Sequence, residues 1–434
     1  MVDHPALVIV FASFVITTPL VSKRYDGSPI GPIGMFGVAW GVAGSLYLLS
    51  PFPWPKESIR VYQAIIIAVL SFTTFAIIGG MLSYRYIFKF ENINTISYNN
   101  SHILIMFLYL FTIVGALGAV LTWGKVISTY GIEMYIANPS AVRYSITLGE
   151  SPIGSLTSTY LIGVLFAGVL LGAVYVGYFN KRFLPGYLPL FVVLFREMAI
   201  LGRWKVIIAL QIYVAAIILG NKNKKGVIIT PENRRLLTKI ASSVMVALVF
   251  VIGVAFFKKQ GGGWLSQYSD FYPPIVLELI QRLNVPVQGL SEVITRTNNH
   301  GHGKFLLNPL AEFLSKIGIG EYPGLASGTI RSNPLSPQFG QRFMAISDLG
   351  VIFADFGWKG LFWIPALAGF VTSFIYKYNN FVSILFLTAI YVELAWFVAW
   401  NLSSPFYAIA LLLAISVVIT QLAITNLELL QLQS

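Results

Sequence analysis

The chain has 434 residues, 56% of them hydrophobic and only 11% charged, with a formal net charge of +12 and no cysteine; its mean hydropathy is +0.75. A soluble domain carries about 25% charged residues, so the composition excludes an ordinary water-soluble globule and points to a chain solvated mainly by lipid. The missing cysteine excludes disulfides and thiol chemistry.

A spanning helix needs roughly 20 apolar residues. The first such run, Leu7 to Val21, lacks the basic start and small-residue cleavage site of a signal peptide, so it reads as a span. In chain order the apolar runs predict spans near 5–21, 30–50, 62–82, 102–123, 157–179, 184–200, 203–220, 239–257, 360–377, 380–400 and 403–422. The fold class expected is all-α, a polytopic integral membrane protein of about eleven helices, with residues 1–434 forming a single transmembrane domain. Lysine and arginine accumulate in short cytoplasmic connectors. "SKR" (Ser22–Arg24), "NKR" (Asn180–Arg182) and "NKNKKGVIITPENRR" (Asn221–Arg235) fall on one face, joined by Arg85, Lys89 and Lys377, and that face is assigned to the cytoplasm. The layout puts the N-terminus outside and the C-terminus inside, and residues 343–357, apolar but interrupted by Asp348 and Asp355, are the candidate for an additional membrane-entering piece.

Residues 258–359 form one large extracytoplasmic loop in this layout, expected to fold over the membrane core. Structureless loops longer than about 15 residues are uncommon unless functional, and this one carries local patterns. In "NPLAEFLSKIG", Asn308 is placed to cap, Pro309 to open and Gly318 to end a helix, with Leu310, Phe313, Leu314 and Ile317 on one stripe. "PPIVLELIQRL" (Pro273–Leu283) is a second amphipathic candidate for the membrane surface.

Two of the four histidines, His300 and His302, sit together in "TNNHGHGKFLLNP". A loop histidine is ordinarily a solvated surface residue. The functional alternative is a general base, because an imidazole titrates near neutrality and accepts a proton from a hydroxyl. His302 is the preferred base of the pair, and Glu292 either orients such an imidazole or is itself the base. The outer face also collects arginines: Arg143, Arg196, Arg203, Arg282, Arg296, Arg331 and Arg342. A guanidinium fork binds phosphate through paired hydrogen bonds. Arg203 and Arg196 flank a turn between two apolar runs, at the depth of a lipid-linked phosphate, and Arg196 can instead pair with its neighbour Glu197. No Asp-x-Asp or paired carboxylate suits magnesium on that face, and "HGH" lacks further ligands for zinc, so no metal and no cofactor are expected. Glu393, inside the apolar "LTAIYVELAWFVAW", reads as a structural ion-pair partner.

The stretch "SDLGVIFADFGWKGLFWIPALAGFVTSFIY" resembles the O-antigen polymerase (Wzy) family of oligosaccharide repeat-unit polymerases, whose outer loop re-enters the bilayer through an aromatic "DFG..G" stretch; Asp355, Phe356, Gly357 and Gly360 match it. "LGRWKVIIALQIYVAAIIL" resembles that family's Gly-Arg at the outer start of a span, with Arg203 at the basic position, and Arg143 and Gly154 fit the Arg-x10-Gly spacing of its outer loops. The family's even span count with both termini cytoplasmic is not reproduced by the layout above. The resemblance implies a metal-independent, multi-pass glycosyltransferase of a prokaryotic inner membrane. It would polymerise repeat units carried on polyprenyl pyrophosphate, with membrane lipids around it, a chain-length regulator as a candidate protein partner, and no nucleic acid. An O-antigen ligase-like transferase is the close alternative. A peptidoglycan polymerase would require an acidic loop residue such as Asp270 or Glu278. A lipid-linked oligosaccharide flippase would place charges along the spans in both leaflets, whereas here the polar residues gather on one face.

Overall fold

Lipid offers the backbone no hydrogen bonds, so a chain of this composition must satisfy its amides within helices or a closed barrel. A computed structural model describes residues 5–49, 59–90, 101–137, 161–179, 184–200, 204–221, 287–291, 293–295, 297, 300–303, 347–378, 381–395 and 405–433. Among the described residues the regular structure is entirely helical. The helices are α1 (Pro5–Tyr25), α2 (Pro32–Leu48), α3 (Ile59–Phe90), α4 (His102–Tyr130), α5 (Ile132–Ala137) and α6 (Leu161–Phe179). A short 3-10 turn over Leu184–Tyr187 follows, then α7 (Leu188–Ala199), α8 (Trp204–Asn221), α9 (Asp348–Tyr376), α10 (Phe381–Ala395) and α11 (Pro405–Gln433).

Five of these, α1, α3, α4, α6 and α9, contain segments long and apolar enough to cross a membrane; α2, α8, α10 and α11 contribute shorter apolar stretches. The expected span 239–257 and the helix candidates Pro273–Leu283 and Asn308–Ile317 lie outside the described residues. The run 184–200 does not form one uninterrupted span. Its α-helix, α7, has 12 residues, about 18 Å at 1.5 Å per residue, well short of a hydrocarbon core about 30 Å thick. Of the segment 343–357, the described part from Asp348 is a helical piece that ends at a break at Gly357, the residue where the expected piece ends, and α9 resumes beyond the break to Tyr376.

Local chemistry sets the ends. Lys23 and Arg24 occupy the last turn of α1, where cations complement the helix dipole. Pro32 opens α2, where its missing amide costs nothing. Ser347 caps α9, its side chain accepting from the Gly350 amide at 3.2 Å.

The chain divides into two compact units. The first comprises Met1–Phe90, Gly262–Tyr378 and Glu393–Pro405. Its core joins Phe11, Trp40, Tyr62 and Ile65 from α1–α3 to Phe353 and Leu361 of α9, and also takes in Val287, Leu290, Val293 and Ile294. Here α3 and α9 cross with their backbones in contact: a methyl group on Gly79 would collide with the Phe370 carbonyl, and one on Gly369 with the Phe72 carbonyl. Small residues permit such close approach between apolar helices, where packing and not water exclusion drives association. The second unit comprises Glu91–Gly261, Asn379–Val392 and Phe406–Ser434. Within it α6 is buried along most of its length, and Gly177 and Gly220 seat α6 against α8 in the same backbone-to-backbone manner.

Candidate functional site

The histidine segment begins with a helix the sequence reading did not identify. Residues 287–291 and 293–295 are helical, and Val287, Leu290 and Ile294 recur at i, i+3 and i+7, the spacing that puts apolar side chains on one face. That face, with Val293, is buried in the core of the first unit. The turn closes with the Thr297 amide donating to the Val293 carbonyl at 2.9 Å. The chain then emerges as His300, Gly301, His302 and Gly303, with both imidazole-bearing residues exposed and Gly303 buried.

This loop is docked on a break in α9. Gly357 leaves the helical region at φ 61° and ψ −147°, a conformation that side-chain-bearing residues essentially do not adopt. Carbonyls in the last turn before a helix ends have no partner within the helix. Those of Ala354 and Asp355 accept from the amides of Gly301 and His302, each at 2.9 Å. His300 stands edge-on to Phe353, ring centroids 5.6 Å apart at 83°, and Phe353 meets Trp358 in the same way at 5.6 Å and 87°. The imidazole occupies the space beside Gly357, where a Cβ would lie 2.7 Å from Nε2. Asp355 is fully buried and engaged by a partner.

Backbone strain falls on His302 itself. Its φ of 52° is the left-handed value glycine normally supplies, and Gly303 follows at 93°. Within His300–Gly303 the positive φ values fall on His302 and Gly303 and not on Gly301. His302 thus has an anchored amide, a constrained backbone and an exposed ring. A neutral imidazole so held can accept a proton from a hydroxyl brought to it.

Of the expected anion-binding arginines, Arg196 is described, and it belongs to the second unit. It is buried and ion-paired with Glu197, which is buried as well. Trp123 of α4 donates its indole N–H to the Phe195 carbonyl at 2.8 Å, and the Tyr135 hydroxyl of α5 donates to the Met198 carbonyl. The end of α7 is thereby capped by aromatic side chains that pack edge to face, 5.4 Å apart. Lys205 of α8 lies near enough to feel both charges, and the Arg196 Nε is buried with no hydrogen-bond partner. Arg203, Arg143, Arg282, Arg296, Arg331, Arg342 and Glu292 lie outside the described residues, as does the Glu393 side chain. No group of three His, Asp or Glu side chains gathers among the described residues.

A further polar cluster went unnoticed in the sequence. Asp26, in the turn between α1 and α2, is only 2% exposed. Its Oδ2 accepts from the Ser22 hydroxyl at 2.9 Å and, at 3.4 Å, from the Ile33 amide. Lys377, just past α9, donates to the Tyr25 carbonyl at 2.5 Å. Ser373 is close enough to favour the charged carboxyl, yet its Oγ and the Asp26 Oδ1 are both buried without a hydrogen-bond partner. A lone Asp in a basic turn gives no periodic or motif signal; only the fold brings Ser22, Ser373 and Lys377 around it.

No protein-family model, curated protein or solved structure matches the chain.

Proposed function

We propose that the chain is a multi-pass glycosyltransferase of a prokaryotic cytoplasmic membrane that polymerises oligosaccharide repeat units carried on polyprenyl pyrophosphate. The observation that carries the reading is the exposed imidazole of His302, held by its own backbone on the "DFG" break of α9, the stretch that resembles the O-antigen polymerases. In the reaction the acceptor sugar hydroxyl gives its proton to the His302 ring while its oxygen bonds to the donor anomeric carbon. The bond from that carbon to the pyrophosphate oxygen breaks, and the electron pair leaves with the lipid pyrophosphate. A pyrophosphate leaving group needs charge stabilisation more than a strong acid, the role expected of Arg203, with Arg331 and Arg342 as further candidates.

The test is polymerisation of purified lipid-linked repeat units in detergent, where no transport across a bilayer is required. His302→Ala and His302→Gln should both stop elongation while lipid-linked substrate still binds. Arg203→Lys, which keeps charge and loses the fork, should fall sharply in rate at normal expression. Full-length polymer from His300→Ala and His302→Ala at the native rate would remove the base assignment and make Glu292 the next residue to replace. A wild-type protein that binds these lipids and makes no polymer would favour a transporter.

A further inference from the structure

An unbroken helix pairs each carbonyl with the amide four residues on. In α9 that would give Ala354 to Trp358 and Asp355 to Lys359. With Gly357 outside the helical region, the same two carbonyls are taken by two consecutive amides of the histidine loop. The two arrangements compete for the same acceptors. We propose that α9 and the His300–Gly303 loop form a latch: the break at Gly357 holds the loop, and straightening of α9 through Gly357 releases it.

Three observations converge on this. The match is two adjacent donors on two adjacent acceptors, each at 2.9 Å, so it fixes a register. The break that receives the loop has φ 61° at position 357, an angle that favours glycine, and the His300 ring lies over that bare glycine, so a side chain at 357 would strain the break and displace the ring. Docking is also opposed from within, because His302 is held at φ 52°, a conformation disfavoured for a residue with a Cβ. Two hydrogen bonds working against one strained residue make a contact that can be given up. Gly357 is accordingly a positioning residue for both imidazoles. On the proposed function, and resting on it, release would carry the His302 ring away from the acceptor hydroxyl and open the face of α9 to a new glycan end; the latch itself does not depend on the reaction.

Hydrogen exchange on the full-length protein in detergent tests it. Gly357→Ala favours helical angles at 357 and puts a methyl where the His300 ring sits. Amides of residues 300–303 should then exchange faster by about thirty-fold, the loss of two hydrogen bonds, while amides 358 and 359 become better protected. Those opposite changes are the signature, since general loosening would speed both segments. Unchanged exchange in the loop, or faster exchange in both segments together, overturns the proposal. If Gly357→Ala does not fold, Gly301→Pro decides: it removes one donor without touching α9 and should speed exchange only within the loop, and no acceleration there overturns the latch. Failure of this test leaves the proposed reaction standing, because that rests on the elongation assay.

Discussion

Replacing Asp26 by Asn separates a structural carboxyl from a charged one. The residue is buried, and burial raises its pKa above the ordinary carboxylate value, making it a weaker acid; the Ser22 hydroxyl, the Ile33 amide and the Lys377 charge pull it back down without cancelling the shift. A group whose pKa is higher folded than unfolded binds more protons in the native state, so its contribution is complete below the unfolded value and is lost as pH rises through the folded one. Native stability should therefore decline on this account as pH rises from about 4. The ionised form leaves Oδ1 buried and unpartnered, which costs about 1–3 kcal/mol. Asn keeps an acceptor for Ser22 and Ile33 and offers an N–H towards the orphaned Ser373 oxygen. We expect Asp26→Asn to match the native protein in acid and to gain about 1 kcal/mol over it near neutrality. Asp26→Ala gives up two hydrogen bonds and should lose about 2 kcal/mol in acid. Thermal unfolding in detergent across that pH range measures both. A native protein that outlasts Asp26→Asn by a margin growing with pH would refute the reasoning, because it would mean that Lys377 more than repays the desolvation.

Glu197→Ala strands Arg196 in a buried position beside Lys205 and should cost about 3–5 kcal/mol, whereas Arg196→Met with Glu197→Leu should recover most of that loss; thermal unfolding of single and double variants checks it, and additive losses would contradict it. Gly79→Leu puts a side chain into the Phe370 carbonyl at the α3–α9 crossing. It should destabilise the first unit by about 1–3 kcal/mol or more, read as a lower unfolding midpoint, with Gly124→Leu, whose Cβ position meets nothing within 4 Å, as the control that should fold normally.

Helix class and approximate helix positions were legible because twenty apolar residues in a row have one economical conformation in lipid. α1, α3, α4 and α6 follow directly from their runs, and the run 360–377 matches the part of α9 beyond Gly357. What hydropathy cannot register is how an apolar run is cut. The run 184–200 looks like its neighbours on an apolarity scale, yet its first residues, with Pro185 and Gly186, form a 3-10 turn and leave a short α7 with a buried ion pair. The "DFG" glycine was visible as part of a resemblance, but its role was not, because a helix break becomes a docking point only when donors from 53 residues earlier in the chain, Gly301 and His302 for Ala354 and Asp355, arrive. The helical residues 287–291 and 293–295 carried a readable i, i+3, i+7 signal that the overlapping polar "SEVITRT" masked. Asp26 was illegible for a different reason: its hydrogen-bond donors Ser22 and Ile33 are local but form no motif, and Ser373 and Lys377 reach it from far along the chain.

The polar, glycine-containing character of "HGH" invites a catalytic explanation, yet two of its features have a backbone reason that involves no chemistry. A helix broken among apolar neighbours leaves carbonyls that need N–H donors, and a loop that supplies two in succession must approach closely and turn tightly. Gly301 donates to Ala354, and Gly303, at φ 93°, turns the chain away. Neither requirement explains an imidazole. At 302 the left-handed conformation would be met more easily by glycine or asparagine, so a histidine there is the costlier choice for folding. At 300 the ring packs on Phe353 and over Gly357, where other flat side chains would serve. The two positions therefore separate structure from chemistry. His302→Gly should relax the backbone, leave the loop docked or dock it better, and raise the unfolding midpoint slightly; on the proposed function it should abolish elongation. His300→Phe should keep both packing and most of the activity. If His302→Gly instead loosened the loop, its side chain would be holding the fold together, and the case for an imidazole kept at 302 for proton transfer would be lost.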